Sequence, residues 1–382
     1  MRAIRDTGKH SLATGILPKG CQLCVKGKKL VLFVTGLCSQ HCYFCPVSDK
    51  KWSQDVIYAN ERPVKSFREI ADEARLCFAE GAGITGGDPL VKLGRTASYI
   101  QKLKKEFGKD FHIHLYTPLN LVNEMTLGRL FKAGLDEIRF HPDLESDRNW
   151  RRIEYAKRLP WDVGVEIPAV PGKEAETKKL IDYLDSISIC FININELEIS
   201  DSNSNNLLEK GFAPKNSISY GVRGSEPLAK RLLRNCLKKK LRAHYCTTTL
   251  KDRVQMAERI KLRAKSIRQP FDILHEDGML TRGALYLPEL SPGFGYRKRL
   301  QGLAEKDRKR LSKKLISLRA RILKDLRLEA EYLAVDTNKL RLLTSPGIAE
   351  KTKNYLKELG LQPAIVTEYL TWDSFEVELD FL

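Results

Sequence analysis

Three cysteines stand within the stretch GLCSQHCYFCP, residues 36–46: Cys38, Cys42 and Cys45. Three residues separate the first two and two residues separate the second from the third. A loop of this length can wrap three corners of a cubane iron–sulfur cluster, and soft thiolates select iron–sulfur or zinc over hard cations. A tetrahedral zinc site would need a fourth ligand from elsewhere in the chain. On a four-iron cluster, three thiolates leave one iron without a protein ligand, and a substrate or cofactor can chelate it.

A second set of soft ligands is split along the chain. CQLC at 21–24 supplies half of a metal site, and His244 to Cys246 is the other compact group. Cys21, Cys24, His244 and Cys246 are therefore a candidate site for zinc or a second iron–sulfur cluster; the alternative is four unrelated side chains. Cys77 and Cys190 lie alone in apolar surroundings and read as buried thiols. Nine cysteines, odd in number and unevenly placed, suit metal binding in a reducing compartment better than a secreted disulfide framework.

The elements that must position these residues follow from the hydrophobic pattern. Strand candidates are KLVLFVTG (29–36), AGITGG (82–87), FHIHLYT (111–117), DEIRFH (136–141), DVGVEIPAV (162–170) and FININELEI (191–199). Helical periodicity fills the intervals at 66–80 and at about 95–107, 123–134, 147–158 and 174–187. Six strand–helix units predict an α/β fold, a partial (βα)6 TIM-type barrel over 28–222, preceded by a CxxC segment at 1–27. In such a fold ligands sit beyond the carboxyl ends of the strands, and the cysteine stretch directly follows the first.

Beyond it the texture changes to a basic, mostly helical region with a hairpin at 223–335 and a small C-terminal α+β unit at 336–382. The hairpin turns at Asp277-Gly278, a long charged helix runs over 302–335, and a helix at 347–358 is capped by Ser345. The closing strand FEVELDFL alternates Phe375, Val377, Leu379 and Phe381 with Glu376, Glu378 and Asp380.

The cysteine spacing after a first strand resembles the radical SAM superfamily, whose signature is CxxxCxxC. TGGDPL at 85–90 is similar to that family's GGE segment, with Asp88 where glutamate is commoner. IPAVPG at 167–172 is similar to a run in the pyruvate formate-lyase activating enzyme branch, and the nearest resemblance is an uncharacterised archaeal group of that branch. The resemblance implies a 4Fe-4S cluster on Cys38, Cys42 and Cys45 and S-adenosylmethionine bound at Gly86, Gly87 and Asp88. It also implies reductive cleavage to a 5′-deoxyadenosyl radical, with an electron donor such as ferredoxin or flavodoxin. Arg139, His141, Glu166 and Asn195, with Glu198, are further candidates for facing the cofactor or substrate. HIH at 112–114 reads as ordinary strand.

Charge bears on the substrate. The chain of 382 residues carries a net charge of +18, and residues 221–330 hold 29 Lys and Arg against 11 Asp and Glu, which is the whole imbalance. That field predicts RNA as the substrate, with transfer RNA modification as the reaction. The alternatives are an activase that places a radical on a protein or peptide, and a non-catalytic iron–sulfur protein that binds nucleic acid. The longest apolar run, LVLFV, is far short of the roughly 20 residues of a membrane span, so a cytoplasmic protein without membrane contact is expected.

Overall fold

The apolar runs expected as strands form β1 (Lys29–Phe33), β2 (Gly81–Thr85), β3 (His112–Pro118), β4 (Glu137–His141), β5 (Asp162–Ala169) and β6 (Phe191–Glu196). They lie side by side in sequence order, all parallel. The partial barrel expected from the sequence is present, with one strand more. β7 (Arg242–Cys246) pairs parallel with β6, Asn193 opposite His244 and Asn195 opposite Cys246. The sheet ends in antiparallel partners on both sides, Ser11–Ala13 beside β7 and Tyr58–Ala59 beside β1.

The crossover helices are α2 (Phe67–Leu76), α3 (Leu93–Phe107), α4 (Glu124–Ala133), α5 (Glu174–Ser186) and α6 (Ser225–Cys236). Ser66 and Asn123 start α2 and α4 with capping boxes, which satisfy otherwise orphaned N–H groups. Between β4 and β5 only a short 3-10 turn and Ile153–Ala156 are helical. One apolar cluster, with Leu30, Ile84, Leu115, Ile138, Val165 and Ile194 from the strands, joins sheet and helices.

The structure, a computed structural model, describes residues 3–382 and comprises two units, one ending at Arg259 and one of Ile260–Leu382. The boundaries expected at 27/28, 222/223 and 335/336 give way to this single division. α6 and β7 complete the barrel sheet, so the residues after 222 do not begin a new domain there. The N-terminal CxxC segment is part of the barrel unit too. It forms α1 (Lys19–Cys24), whose Gly20 N–H donates to Glu137 Oε2 at 3.3 Å. A Cβ on Gly20 would lie 2.6 Å from His114 Nδ1 and 2.7 Å from Arg139 Nη2. Gly20→Ala should therefore cost about 1–3 kcal/mol by overpacking, read as a lower melting midpoint of the barrel unit.

In the second unit β8 (Met279–Tyr286), β9 (Leu333–Asp336), β10 (Arg341–Thr344), β11 (Gln362–Tyr369) and β12 (Phe375–Phe381) form an antiparallel sheet in the order β9-β10-β8-β11-β12. The hairpin expected at Asp277-Gly278 is there, pairing Ile273–Leu274 with β8 and placing Gly278 at φ 90°. α7 (Glu305–Asp325) and α8 (Pro346–Glu358) share the core of this sheet. The helix expected over 302–335 is shorter because Arg327 turns to φ 51° and Leu333 enters a strand. No helix among the described residues is long and apolar enough to cross a membrane.

Candidate active site

A cavity of about 350 Å³ opens at the carboxyl ends of the barrel strands, and Cys38, Cys42 and Cys45 all line it. The segment between β1 and Tyr58 is almost devoid of regular structure, so it depends on contacts from its neighbours. Thr35 Oγ1 and Arg95 both donate to Asp55 Oδ1, at 2.9 and 2.6 Å, and Gly36 N–H donates to Gln54 O at 2.8 Å. A Cβ on Gly36 would run into Lys51 O, which is why the stretch opens with glycine. Asn120 Nδ2 reaches Ser39 O at 3.2 Å, and Asn203 Nδ2 reaches Phe44 O at 3.0 Å.

Burial raises the pKa of all three thiols; for Cys42, burial and then the neighbouring Cys45 and Cys38 push it up to about 12. Thiols that resist ionisation in each other's company fit a cationic metal group, which would remove that penalty. Among the described residues no group of three or more His, Cys, Asp or Glu could hold a single metal ion.

Gly86 and Gly87 line the cavity beside the thiols, but their packing has a cause besides approach to a ligand. A Cβ on Gly86 would lie 2.5 Å from Thr35 O, and one on Gly87 2.5 Å from Leu37 O. Gly87 N–H and Asp88 N–H donate to those same carbonyls at 2.8 Å, so the glycines let the end of β2 dock on the cysteine loop. Asp88 itself departs from expectation. It is fully buried and lies off the cavity, with Oδ1 accepting from Leu90 N–H at 3.0 Å and Thr117 Oγ1 at 2.8 Å. Its carboxylate ties the turn after β2 to the end of β3, with Ser39 Oγ of the cysteine loop 3.5 Å from Oδ2.

Arg139, His141, Glu166 and Asn195 all line the cavity, as does Glu198. Arg139 donates to Glu137 at 2.5 Å, Glu166 at 2.9 Å and Tyr116 OH at 3.1 Å, and its guanidinium lies over the rings of Tyr116 and Phe191. Glu166 also accepts from Asn193 at 2.8 Å and Asn195 at 3.0 Å. Burial works to raise its pKa, but the charge of Arg139 and the two amides outweigh burial and hold it down at about 2. His141 Nδ1 lies 2.9 Å from the Glu166 carbonyl, which can only accept, so Nδ1 carries the proton and Nε2 is left as an acceptor. Burial lowers its pKa, so the ring is neutral.

Tyr116, Trp52 and Lys251 also line the cavity and were not singled out in the sequence. Tyr116 was legible as the next inward position after His112 and His114, which stay inside the barrel below the cavity, as ordinary strand. Lys251 stands at the start of a π-helical turn (Lys251–Met256), 3.1 Å from Glu198; no pattern in the sequence marks that turn.

The second metal set is not assembled. Cys21 Sγ accepts from Asn193 Nδ2 at 3.4 Å, His244 Nε2 pairs with Ser11 Oγ at 3.2 Å, and Cys246 Sγ faces Gln255 Nε2 at 3.8 Å. These residues are core members of the barrel unit: β7 faces its polar side chains inward, and α1 packs against β1, β2 and β3.

Asn203 is a functional candidate that sequence reading missed. It is 1% exposed, donates to Phe44 O and to Glu198 O at 3.0 Å each, and accepts from Ser200 N–H at 2.8 Å. It thus staples the strap between β6 and α6 to the residue preceding Cys45. Asn203→Ala should loosen the backbone at Phe44, beside Cys45, and lower the iron and sulfide content reached on reconstitution severalfold.

With this geometry in view, comparison with known proteins defines the class. The family model for the radical SAM superfamily matches residues 32–184. The chain belongs to that superfamily, in the branch of the pyruvate formate-lyase activating enzyme, and its cofactors are a 4Fe-4S cluster and S-adenosylmethionine. A Methanocaldococcus jannaschii protein that carries the provisional name of a glycyl-radical enzyme activating enzyme is 45% identical over 278 residues, 70% of this chain and 73% of that protein. Among solved structures, SuiB of Streptococcus suis bound to S-adenosylmethionine is 11% identical, with a TM-score of 0.41 over 58% of this chain and 50% of SuiB. The chain thus spans about half the length of SuiB. Methylornithine synthase is 14% identical, with a TM-score of 0.39 over 56% of this chain and 63% of that one.

Proposed function

We propose that this radical SAM enzyme acts on a protein, as an activase that places a radical on a glycine of its target. The observation that carries the radical chemistry is the convergence of Cys38, Cys42, Cys45, Gly86 and Gly87 with Arg139, Glu166 and Asn195 on one cavity. The name of the Methanocaldococcus jannaschii relative favours a protein substrate over RNA.

In this reading Cys38, Cys42 and Cys45 hold the 4Fe-4S cluster and leave one iron open. When bound, the cluster and S-adenosylmethionine would supply hydrogen-abstracting radical chemistry, one electron being consumed and methionine released per cleavage. The backbone at Gly86-Gly87 and the polar group of Glu166, Asn195 and neutral His141 bind and orient S-adenosylmethionine. Phe44 and Trp52 supply apolar lining. A low-potential one-electron donor of the ferredoxin or flavodoxin type serves as reductant.

The basic segment gives RNA less support than its count suggests. Residues 221–259 lie in the barrel unit and 260–330 in the other. Several of the cations are already engaged: Lys230 with Glu226, Arg231 with Glu174, Lys239 with Asp182, and Arg282 buried against Asp272 and Glu368.

The test is anaerobic reconstitution, reduction by dithionite and addition of S-adenosylmethionine with either a candidate glycyl-radical protein or bulk RNA. The proposal expects 5′-deoxyadenosine to rise with the protein, together with the EPR doublet of a glycyl radical. Turnover stimulated by RNA and unaffected by the protein would return the substrate to RNA.

A further inference from the structure

The barrel unit concentrates positive charge where the strap between β6 and α6 meets that helix. A second cavity, of about 450 Å³, opens there, and its charged lining is Lys215, Arg223, Lys230, Arg231 and Arg234 against the single carboxylate of Glu226. Glu226 is taken by both Lys215 and Lys230, and Arg231 turns to Glu174 at 2.8 Å. Arg223 and Arg234 are exposed and make no ion pair among the described residues. Five cations around one hollow with one acid repel one another, and an acidic surface set against them relieves that repulsion.

The strap adds apolar surface to this charge. Residues 213–223 fold back on themselves, Lys215 N–H donating to Gly221 O at 2.7 Å and Arg223 N–H to Ala213 O at 2.9 Å. The turn so formed leaves Ile218 86% and Tyr220 65% exposed. Apolar side chains among cations fit a protein partner better than a phosphate backbone, which would leave Ile218 in water.

Position decides which protein. The same strap covers the cysteine loop: Phe212, next to Ala213, stacks on Tyr43 with ring centroids 6.3 Å apart and planes 9° from parallel, and Tyr43 directly follows Cys42. Arg223, Lys230, Arg231 and Arg234 do not line the cavity that holds the three thiols, so a partner seated on them does not compete for that lining. A radical target must enter the thiol cavity. A reductant need only approach the cysteine loop from outside it.

We propose that this cationic face of the strap and α6 docks the acidic one-electron donor that reduces the cluster. The inference rests on the radical SAM reading of the cysteine loop and not on the identity of the radical target. In the step it serves, the donor loses one electron and the cluster gains it, with no bond made or broken.

The test is fluorescence anisotropy of the full chain with a labelled flavodoxin and, separately, a labelled ferredoxin, both of net negative charge. The proposal expects saturable binding of at least one of them, weakening steeply as salt is raised. An Arg223→Glu, Arg234→Glu variant of unchanged melting midpoint should lose about tenfold in affinity, and Ile218→Asp severalfold. In stopped flow, bleaching of the cluster by the reduced donor should slow to match, while bleaching by dithionite, which needs no docking, stays as in the parent. Failure of both donors to bind, or binding to the variants as tight as to the parent, would overturn the proposal. So would equal slowing of the dithionite reaction. Oligouridylate that binds the parent but not the charge variant, and more tightly than either donor, would overturn it too, by making the face a site for RNA.

Discussion

Replacement of Cys42 by alanine should abolish S-adenosylmethionine cleavage while leaving the barrel folded. Cys42 stands between Cys38 and Cys45 on the loop that follows β1, and all three line the same cavity. Losing an outer-shell partner of a metal ligand costs about 10–100-fold in affinity or activity, and losing the ligand itself should exceed that. The loop is held in place by Gln54, Asp55, Asn120 and Asn203, none of which bonds to Cys42, so the thiol can go without unfolding its surroundings. The expected result is no 5′-deoxyadenosine above background after reconstitution, with an unchanged circular dichroism spectrum. Retention of a tenth or more of the activity would mean that Cys42 is not a ligand.

The second large effect concerns the barrel interior. Arg139→Met should destabilise the barrel unit by about 3–5 kcal/mol, because it leaves Glu137 fully buried without its cation and removes the charge partner of the cavity-lining Glu166. Glu137 is fully buried and has no route to water. Thermal unfolding should show a midpoint lower by roughly 10 °C for that unit, and a second change, Glu137→Gln, should recover part of the loss. The sign with pH follows from Glu166. Its folded pKa, about 2, lies below the usual carboxylate value of about 4.3, so it adds stability above that value and loses it as the pH falls towards 2. In Arg139→Met that acid-side contribution should shrink. A variant as stable as the parent would mean that the two carboxylates find other partners.

The strands that position the site were legible because each is a short apolar run bounded by polar or glycine-rich turns. β1 to β6 fall within a few residues of their expected ranges. The seventh was hidden. RAHYC follows three lysines and Leu241, and its inward side chains, Arg242, His244 and Cys246, are polar because the barrel interior they face is polar. A pattern that assumes an apolar interior reads such a strand as the tail of a basic helix. The cavity-lining roles of Arg139, His141, Glu166 and Asn195 were available from alternation along the strands. At Asp88 the motif gives the residue type but not the direction of its side chain, which is set by Leu90 N–H and Thr117. Pairing the distant ligands of the CxxC set requires the topology: Cys21 meets Asn193, His244 meets Ser11 and Cys246 faces Gln255.

The measurement closest to the central claim is the EPR spectrum of the reduced, reconstituted protein recorded with and without S-adenosylmethionine. If three cysteines hold the cluster and one iron is open, the S = 1/2 signal should shift when S-adenosylmethionine is added, and it should shift less in Gly87→Ala, whose Cβ would push on Leu37 O beside the cavity-lining Cys38. A signal that S-adenosylmethionine leaves unchanged, from a fully loaded cluster, would contradict the account.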